Sequence, residues 1–527
     1  MTHVALRGLI GLWFVLAAGC VAAYDPTAPS RLGLETRAAE VGTKQERPPA
    51  KKQRQLAREL RTEPAPQPQP QPEAQPRAPE PPVRPTTLKT PPNPAPQTPP
   101  VEIPDTAAGK QLSWWLAVLR GGSTKGLDDH FSPEFLAKVP AAQVREIARQ
   151  WRRDELADGS LDVIELDAGP SPSGLTTLVR GKSTGRYTRI RLGVDDAGKI
   201  QTLWLGPVVG YKRDATDTWT ALDTKLAAQP GQTTLAAFEV MAGGDLREIH
   251  VFGGDRRLAI ASTCKLYILG ALAEEVLAGR ATWDQPLAIR DDLKSLPSGR
   301  MQLETEAAEF PINRYAESMI SISDNTAADH LLHRVGREAV QRYMSRLNAD
   351  AVRSFPFLST MELFRIKLGP DRTLAPRYAQ GDEAVRLAML GPGGEVSKST
   401  PSFAAASLWK APYYIDTIEW FATARECCRV MADLHRLELQ PGMEPLKRIL
   451  RLNPGLQFDS RKWPSIAYKG GSEPGVLNMT WMLERDDGRL MLLSFGWNDP
   501  AKDVDLKAAA DLVGVAMGIL AEEGKEP

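Results

Sequence analysis

The stretch Ala261-Ser262-Thr263-Cys264-Lys265 is followed directly by an apolar segment, Leu266 to Leu277. Apolar residues recur there at helical spacing as far as Gly279, a residue that favours a C-cap, so the sequence predicts a largely buried helix with Ser262 in its first turn. Lys265 lies one turn further on the same face, which puts an amine beside a hydroxyl. Because a lysine whose charged form is disfavoured by burial can take the proton of a serine, this pair is a candidate nucleophile and base.

Two further short motifs follow the first in chain order. Ser323-Asp324-Asn325 comes before another helical pattern, and Lys469-Gly470-Gly471-Ser472 lies on a predicted strand near the end. Ser407-Leu408-Trp409-Lys410 has the same S-x-x-K spacing as the first motif, but no long apolar helix follows it, so we interpret it as a chance match. Three motifs in this order arise by accident far less often than any one alone.

Together the three motifs resemble the S-x-x-K, S-D-N and K-T-G set of class A β-lactamases and penicillin-binding serine enzymes. The resemblance covers residues 216–524 and implies an antiparallel sheet with a helical subdomain. It also implies the roles of four side chains. Lys265 would accept the proton of Ser262, Ser323 would relay a proton to the leaving group, and Lys469 would hold Ser323 and the substrate electrostatically from across the cleft.

The same resemblance implies a substrate-binding set made of Asn325, Gly470, Gly471 and Ser472. Asn325 would bind a substrate amide and help to order the catalytic lysine, and the backbone N–H groups of Ser262 and Ser472 would form the oxyanion hole. Gly470 is a departure from the family pattern, because it replaces the serine or threonine of the K-T-G motif. The following strand also lacks the arginine that often helps to bind a β-lactam carboxylate, so we expect a substrate carboxylate to be held loosely.

A second departure concerns the base for deacylation. Class A enzymes carry an Ω-loop with an E-x-x-x-N motif, whereas this chain has an insertion of some tens of residues before a predicted helix at Asp416 and no such motif. Glu362 is the nearest candidate base. With these departures, the layout also resembles the two-domain β-lactamase-like protein of clavulanic acid biosynthesis clusters.

The first residues predict export and lipidation. Residues 1–19 combine a short basic start with an apolar run too short to span a bilayer, which is typical of a signal peptide. Leu16-Ala17-Ala18-Gly19-Cys20 is similar to a bacterial lipoprotein cleavage box, so we expect a lipid anchor at Cys20; an ordinary secretory signal is the alternative. Residues 20–104 are rich in proline and predict a disordered spacer, of which about 40 extended residues would reach on the order of 100 Å.

A small α+β domain is predicted for residues 105–212. Two helical patterns, around Trp114 and from Pro140 to Trp151, precede four strand patterns, and Asp195-Asp196-Ala197-Gly198 is a hairpin signal between the last two. Helices on a curved antiparallel sheet would resemble nuclear-transport-factor-like or cystatin-like modules. The chain as a whole is therefore predicted to be α+β, with this domain preceding a β-lactamase-like or transpeptidase-like domain.

Composition excludes some functions. The 65 basic and 65 acidic residues balance, so the sequence predicts no nucleic-acid partner. His330 and His333 share a predicted helical face without a third ligand, so neither a metal site nor a cofactor is expected, and a surface pair is the preferred interpretation. Cys264 is interpreted as a small core residue, and adjacent Cys427 and Cys428 point apart on one helix.

The leading hypothesis is an exported, lipid-anchored serine hydrolase that faces the periplasm or the cell exterior. It would acylate its serine with a β-lactam or a related activated amide or ester, and peptidoglycan is a second candidate partner. Two alternatives stay open, namely a cell-wall D,D-peptidase and a non-hydrolysing penicillin-binding or cell-wall-binding protein.

Overall fold

The structure is a computed structural model that describes residues 101–168, 172–212, 216–295, 297–399 and 409–525. The predicted signal peptide, Cys20, nearly all of the spacer and Ser407 lie outside these residues. From residue 101 onward the described residues belong to one compact unit, so the predicted domain boundaries at 105–212 and 216–524 stay a prediction. None of the described helices is long and apolar enough to cross a membrane.

The α-helices of the described residues are numbered in chain order. They are α1 (Ala107–Leu119), α2 (Leu127–His130), α3 (Pro133–Lys138), α4 (Ala141–Trp151), α5 (Trp219–Ala227), α6 (Lys265–Leu277), α7 (Ile312–Ser321), α8 (Asn325–Val335), α9 (Arg337–Leu347), α10 (Thr360–Leu368), α11 (Leu374–Gln380), α12 (Glu383–Leu390), α13 (Glu395–Lys398), α14 (Ala424–Glu438), α15 (Glu444–Leu450) and α16 (Leu506–Glu522). A π-helical turn (Arg152–Leu156) follows α4, and short 3₁₀ turns lie at Ala261–Cys264, Asp291–Leu293, Met301–Leu303 and Ala351–Ser354.

The strands of the described residues form four antiparallel sheets. They are β1 (Leu161–Asp167), β2 (Gly174–Gly181), β3 (Tyr187–Val194), β4 (Ile200–Val208), β5 (Gln232–Val240), β6 (Leu246–Phe252), β7 (Leu258–Ala259), β8 (Pro286–Ala288), β9 (Glu309–Pro311), β10 (Phe421–Ala422), β11 (Ser465–Glu473), β12 (Val476–Glu484) and β13 (Leu490–Asn498). The largest sheet has the order β11-β12-β13-β5-β6, a second has the order β1-β2-β3-β4, and two pairs, β7 with β10 and β8 with β9, complete the set. The predicted mixture of helices and antiparallel sheets is thus confirmed.

Helices cover both faces of the five-stranded sheet. Met482 faces one apolar core together with α6 and α14, whereas its neighbour Trp481 faces another core with α5 and α16. Because both faces are covered, β12 and β13 are buried along nearly their whole length, and the alternation of buried and exposed residues is lost. Strand β11 is the first strand in the order of this sheet and therefore an edge strand, and it carries Lys469.

The central helix α6 is buried from Lys265 to Ala273. Its sequence is apolar on all sides, which is the pattern of a helix surrounded by other elements. It packs among α7, α8, α9 and α14, and Gly279 follows it with a φ of +70°, as expected for a C-cap glycine.

The small sheet is a meander covered on one face by helices. Trp115, Leu116 and Leu119 of α1 join Ile190 and Leu192 of β3 in one core. The predicted hairpin is present, since Gly198 has a φ of +73° and its N–H donates to the Asp195 carbonyl at 2.9 Å.

Two local predictions are corrected by the fold. Ser262 lies in the 3₁₀ turn before α6 and not in the first turn of the α-helix. The helix expected from Asp416 begins instead at Ala424, where Thr423 and Glu426 form a capping box. The inserted segment before it carries helices α10 to α13.

Candidate active site

Ser262 is held in a strained turn between strand β7 and helix α6. Ala261, the residue before it, has a φ of +42°, which side chains with a Cβ rarely adopt. The Ile260 N–H donates to the Trp420 carbonyl at 2.9 Å, so the β7–β10 pairing continues up to the turn. Such conformations cost about 1–3 kcal/mol and persist only where the surroundings enforce them, so this turn fixes the direction of the Ser262 hydroxyl.

Lys265 lies at the centre of a hydrogen-bonded group. Its Nζ is 3.0 Å from Ser262 Oγ, 2.8 Å from the Ser323 carbonyl, 3.1 Å from Ser323 Oγ and 2.7 Å from Asn325 Oδ1. The Ser323 carbonyl and Asn325 Oδ1 can only accept, so they take two N–H groups of the amine. The neutral amine has only these two N–H groups, so its lone pair is left to receive the proton of Ser262.

The loop before α8 brings the second motif to this amine. Ser323 has a φ of +57°, another left-handed residue with a side chain. Asp324 caps α8 through the Ala327 N–H at 2.9 Å and also accepts from the N–H groups of Arg300 at 2.6 Å and Met301 at 2.9 Å. The buried carboxylate thus joins two loops and presents the Ser323 side chain to the lysine.

Lys469 reaches the group from the edge strand β11. Its Nζ is 3.1 Å from Ser323 Oγ and also donates to the Gly470 carbonyl. Ser323 Oγ therefore lies between the amines of Lys265, 58 residues earlier in the chain, and Lys469, 146 residues later. This position suits a hydroxyl that relays a proton from a lysine to the leaving group of a substrate.

Gly471 lets β11 approach the nucleophile. A Cβ at this position would lie 2.5 Å from the Ser262 nitrogen and 2.6 Å from the Thr263 nitrogen, and would overlap the Ile260 carbonyl. Only glycine allows this backbone contact. Ser472 is the next residue along the strand, and its N–H stays the predicted second donor of the oxyanion hole.

Burial changes the protonation of both amines. Desolvation lowers the pKa of Lys265 to about 8, and desolvation with the charge of Lys265 lowers the pKa of Lys469 well below its usual range. Among the described residues neither amine forms an ion pair with a carboxylate within 4.0 Å. The site therefore combines a poised base with a second amine, and neither has a direct carboxylate partner.

Glu362 is not brought into this group. Its carboxylate accepts from the Ser359 N–H at 2.7 Å in the capping box of α10 and from Arg337 Nη2 at 2.6 Å. Both oxygens thus stabilise the start of α10, which is a structural reason for a glutamate three residues after a serine. The structure gives its carboxylate no contact with Ser262, Lys265 or Asn325, so its role as deacylation base stays an untested prediction.

The fold also buries charged residues that the three motifs do not include. Asp329 accepts from the N–H groups of Thr360 and Met361 at 2.7 and 2.9 Å, and burial raises its pKa to about 7. Lys367 Nζ is 2.6 Å from Glu473 Oε1 and 3.2 Å from Glu419 Oε1. No local motif marks these residues, because each finds its partner on another element.

Of the two histidines predicted to form a surface pair, His333 is exposed, whereas His330 is not. His330 is buried, its Nε2 accepts from the Arg290 N–H at 2.9 Å, and its Nδ1 lies 2.7 Å from the Thr326 carbonyl. The described residues include no group of three or more His, Cys, Asp or Glu side chains placed to hold a metal ion. The three described cysteines, Cys264, Cys427 and Cys428, are buried free thiols.

Two parts of the chain match known families. Residues 219–436, which include Ser262, Lys265 and Ser323, match the β-lactamase enzyme family, so the resemblance predicted from the motifs is confirmed there. Residues 103–200 match a family described as the N-terminal part of the ORF 12 gene product. No curated protein matches the chain.

Solved structures also resemble this chain. A β-lactamase from Sphaerobacter thermophilus DSM 20745 is 20% identical, and the match covers 60% of this chain and 99% of that chain with a TM-score of 0.40. PBP-A is 18% identical over 60% of this chain and 99% of its own, with a TM-score of 0.38. A β-lactamase from Desulfarculus baarsii DSM 2075 is 18% identical over 57% and 98%, with a TM-score of 0.39.

Proposed function

We propose that this protein is a serine acyl hydrolase that forms an acyl-enzyme on Ser262 with a β-lactam or a related activated amide or ester. The observation that carries the proposal is the position of Lys265 Nζ, 3.0 Å from Ser262 Oγ and buried enough to lower its pKa to about 8. A base with a pKa near the working pH is the most effective acceptor of a proton in the transition state.

During acylation, the proton lost by Ser262 would be matched by one delivered to the leaving group. Ser262 Oγ attacks the acyl carbon while its proton passes to Lys265, and the carbonyl oxygen takes the negative charge. As the acyl bond to the leaving nitrogen or oxygen breaks, Ser323 donates its proton to the leaving atom. Ser323 then recovers a proton from Lys265, 3.1 Å away, so the lysine is again neutral when water arrives.

One observation favours the non-hydrolysing alternative over efficient turnover. Within the hydrogen-bonded group of Ser262, Lys265, Ser323, Asn325 and Lys469, the structure describes no carboxylate in direct contact, and Glu362 is occupied elsewhere. A positioned base for the attacking water typically contributes about 10²–10⁴ in rate. We therefore expect acylation to be followed by slow deacylation. A D,D-peptidase acting on peptidoglycan would use the same acylation step.

Intact-mass spectrometry tests this function. The protein is incubated with benzylpenicillin, with a cephalosporin and with p-nitrophenyl acetate, and the mass of the adduct is followed with time. Adducts are expected on the wild type and absent in Ser262→Ala and Lys265→Ala. Ser407→Ala, the matched S-x-x-K control, should acylate like the wild type. Absence of every adduct from the wild type, or loss of the adduct in Ser407→Ala alone, would contradict the proposal.

We further propose export and a lipid anchor at Cys20, on the basis of the first residues of the sequence. Metabolic labelling with a palmitate analogue, in the wild type and in Cys20→Ser, tests the anchor. Label is expected in the wild type only, and label that persists in the mutant would show that the lipid is elsewhere.

A further inference from the structure

The loop at residues 298–301 is hydrogen-bonded to each residue of the S-D-N motif. The Ser298 carbonyl accepts from the Asn325 N–H at 3.1 Å, and the Ser298 hydroxyl donates to the Ser323 carbonyl at 2.8 Å. Asp324 completes the set, because its carboxylate accepts from two N–H groups of the same loop. The loop belongs to none of the three sequence motifs, yet it holds the second one in place.

The Ser323 carbonyl accepts two side-chain hydrogen bonds. Lys265 Nζ donates to it at 2.8 Å, and Ser298 Oγ donates to it at 2.8 Å as well. A backbone carbonyl oxygen has two lone pairs, so both are in use. The same peptide unit is fixed from its other side, because the Asp324 N–H donates to the Ser318 carbonyl at 3.1 Å. The carbonyl is therefore fixed in direction and shared between a hydroxyl and the catalytic amine.

Sharing this acceptor affects the two protonation states of Lys265 unequally. Hydrogen bonds to the charged form of a group favour that form, and bonds from an ammonium are stronger than bonds from a neutral amine. The Ser323 carbonyl would therefore stabilise protonated Lys265 most if the amine were its only side-chain donor. The Ser298 hydroxyl brings the positive end of its O–H dipole to the same oxygen, which lowers the negative potential at the amine.

Other titratable groups also surround the amine. Lys469 of β11 shares the Ser323 hydroxyl with it, and three further groups act on it electrostatically, namely Cys264, Asp324 and Asp329. Among the described residues, the Ser298 side chain has no hydrogen bond to any of these four. Burial raises the pKa of Asp329 to about 7, so Asp329 titrates in the same range in every variant. Differences between variants at Ser298 therefore report on the shared carbonyl.

We propose that Ser298 is a positioning residue of the acylation step, whose hydroxyl holds the Ser323 carbonyl and limits how strongly this carbonyl binds a protonated Lys265. This inference rests on the proposed function and deepens it, because it names a residue outside the three motifs that prepares the base. Ser298 does not touch the reacting atoms. It acts on the amine through the carbonyl that the two side chains share.

The first turnover of p-nitrophenyl acetate reports on the base. The acetyl group passes to Ser262 Oγ, the proton of this hydroxyl passes to Lys265, and p-nitrophenol leaves with a proton from Ser323. Stopped-flow absorbance gives the acylation rate from pH 6 to pH 10, with Ser262→Ala as the background. The variants are Ser298→Ala, Ser298→Cys and Ser298→Thr, and thermal unfolding of each is recorded in parallel.

Ser321→Ala is the matched control. It removes a serine hydroxyl that donates to a backbone carbonyl, that of Glu317 at 2.6 Å within α7, without a hydrogen bond to the catalytic amine. Its pH profile should be that of the wild type. Ser298→Thr keeps the hydroxyl and should also keep the wild-type profile.

The wild-type rate is expected to rise with a midpoint near the pKa of Lys265, about 8. In Ser298→Ala the midpoint should move upward by about half a unit to one unit, the effect of one hydrogen bond. The rate at pH 7 then falls about three- to tenfold, while the plateau at high pH is kept. Ser298→Cys, whose thiol is a weak donor, should show a smaller shift in the same direction.

An unmoved or lowered midpoint in Ser298→Ala would overturn the role of Ser298, whether or not the plateau falls, because a merely structural residue changes the plateau alone. The proposed function would survive that result, since acylation would still depend on Ser262. If Ser298→Ala does not fold, the other two variants decide, and equal midpoints in Ser298→Cys and Ser298→Thr overturn the inference. Absence of Ser262-dependent acylation in the wild type would remove the proposed function and this inference together.

Discussion

At the scale of single residues, the site depends on two buried amines that share one hydroxyl. Ser323 Oγ is 3.1 Å from Lys265 Nζ and 3.1 Å from Lys469 Nζ. Desolvation disfavours charge on both amines, and the charge of Lys265 further lowers the pKa of Lys469. One amine is thereby kept available as a base without a histidine, while the other holds the hydroxyl.

The pKa of Lys265 predicts a pH profile. The neutral amine is the base, and its fraction rises as the pH passes its pKa of about 8. The rate of acylation by p-nitrophenyl acetate should therefore increase from pH 6 and level off above pH 9. Stopped-flow measurement of the first turnover gives this rate. A rate that is constant from pH 6 to 9 would exclude Lys265 as a base that titrates near 8.

Gly471 predicts a steric effect on the same site. Alanine would place a methyl group 2.5 Å from the Ser262 nitrogen, so β11 or the nucleophile turn must move. We expect Gly471→Ala to lose at least tenfold in acylation rate and about 1–3 kcal/mol in the free energy of unfolding, the usual cost of overpacking. Gly243→Ala is the control, because its nearest atom would be 3.9 Å away. Equal rates in both variants would mean that the close approach is not needed.

At the scale of elements, the segment between α9 and α14 is attached to the site by buried polar contacts. Asp329 of α8 binds the first two N–H groups of α10, and Lys367 of α10 binds Glu473 at the end of β11. Helix α10 is thus fixed at one end to the helix that carries Asn325 and at the other to the strand that carries Lys469. The segment serves as a support that connects the two sides of the cleft.

Glu362 belongs to this support, and its substitution should affect stability more than chemistry. Glu362→Gln keeps an acceptor for the Ser359 N–H but weakens the ion pair with Arg337, whose side chain is 23% exposed. We expect a loss of about 1 kcal/mol in the free energy of unfolding and an unchanged rate of deacylation. Glu134→Gln, an exposed position, is the control for stability. Deacylation slowed tenfold or more in Glu362→Gln would instead identify Glu362 as the base.

Lys367 is buried between two carboxylates, so its loss should be costly. Removing one partner of a buried pair leaves uncompensated charge and typically costs about 3–5 kcal/mol. Burial already raises the pKa of Glu473 well above its usual range, so protonation of Glu473 would recover part of this loss. We expect Lys367→Met to lose about 3 kcal/mol in denaturant unfolding at neutral pH and less at pH 5. Addition of Glu473→Gln should restore part of the stability, and no recovery in the double variant would contradict the pairing.

At the scale of the whole molecule, the small sheet and the larger part are joined by backbone and apolar contacts. Val208 forms a parallel bridge with Gln457, and the Val209 N–H donates to the Gln457 carbonyl at 2.9 Å. Val209 is buried in the core of the larger part, where it packs against Gly514 of α16. Contacts of this kind couple the unfolding of the two parts.

Val209→Asp should uncouple these parts. A buried unpaired carboxylate at this position would destabilise the contact but not the active site, which lies on other elements. Scanning calorimetry is expected to show one transition in the wild type and two in Val209→Asp, with ester acylation retained. Val385→Asp, at an exposed position, should keep one transition. Two transitions already in the wild type would mean that the contact does not couple the parts.

Features that depend on local chemistry follow from the amino-acid sequence alone. The apolar run after Ser262 predicts a buried helix, the turn residues around Gly198 predict a hairpin, and three ordered motifs predict the candidate catalytic residues. Such features could be predicted because spacing along the chain fixes which side chains share a face of a helix or a strand. The start of α6 was less predictable, since the strain at Ala261 is enforced by strands from elsewhere in the chain.

How distant residues share their polar groups depends instead on packing in three dimensions. Glu362 is the nearest candidate base in the sequence, and the fold brings its carboxylate to Arg337 and to the Ser359 N–H. Asp329 is marked by no motif, and the fold brings its carboxylate to the first two N–H groups of α10. The physical reason is common to both cases. A buried polar group must be satisfied by whatever partner the fold brings within about 3 Å, and that partner is not encoded at any fixed spacing.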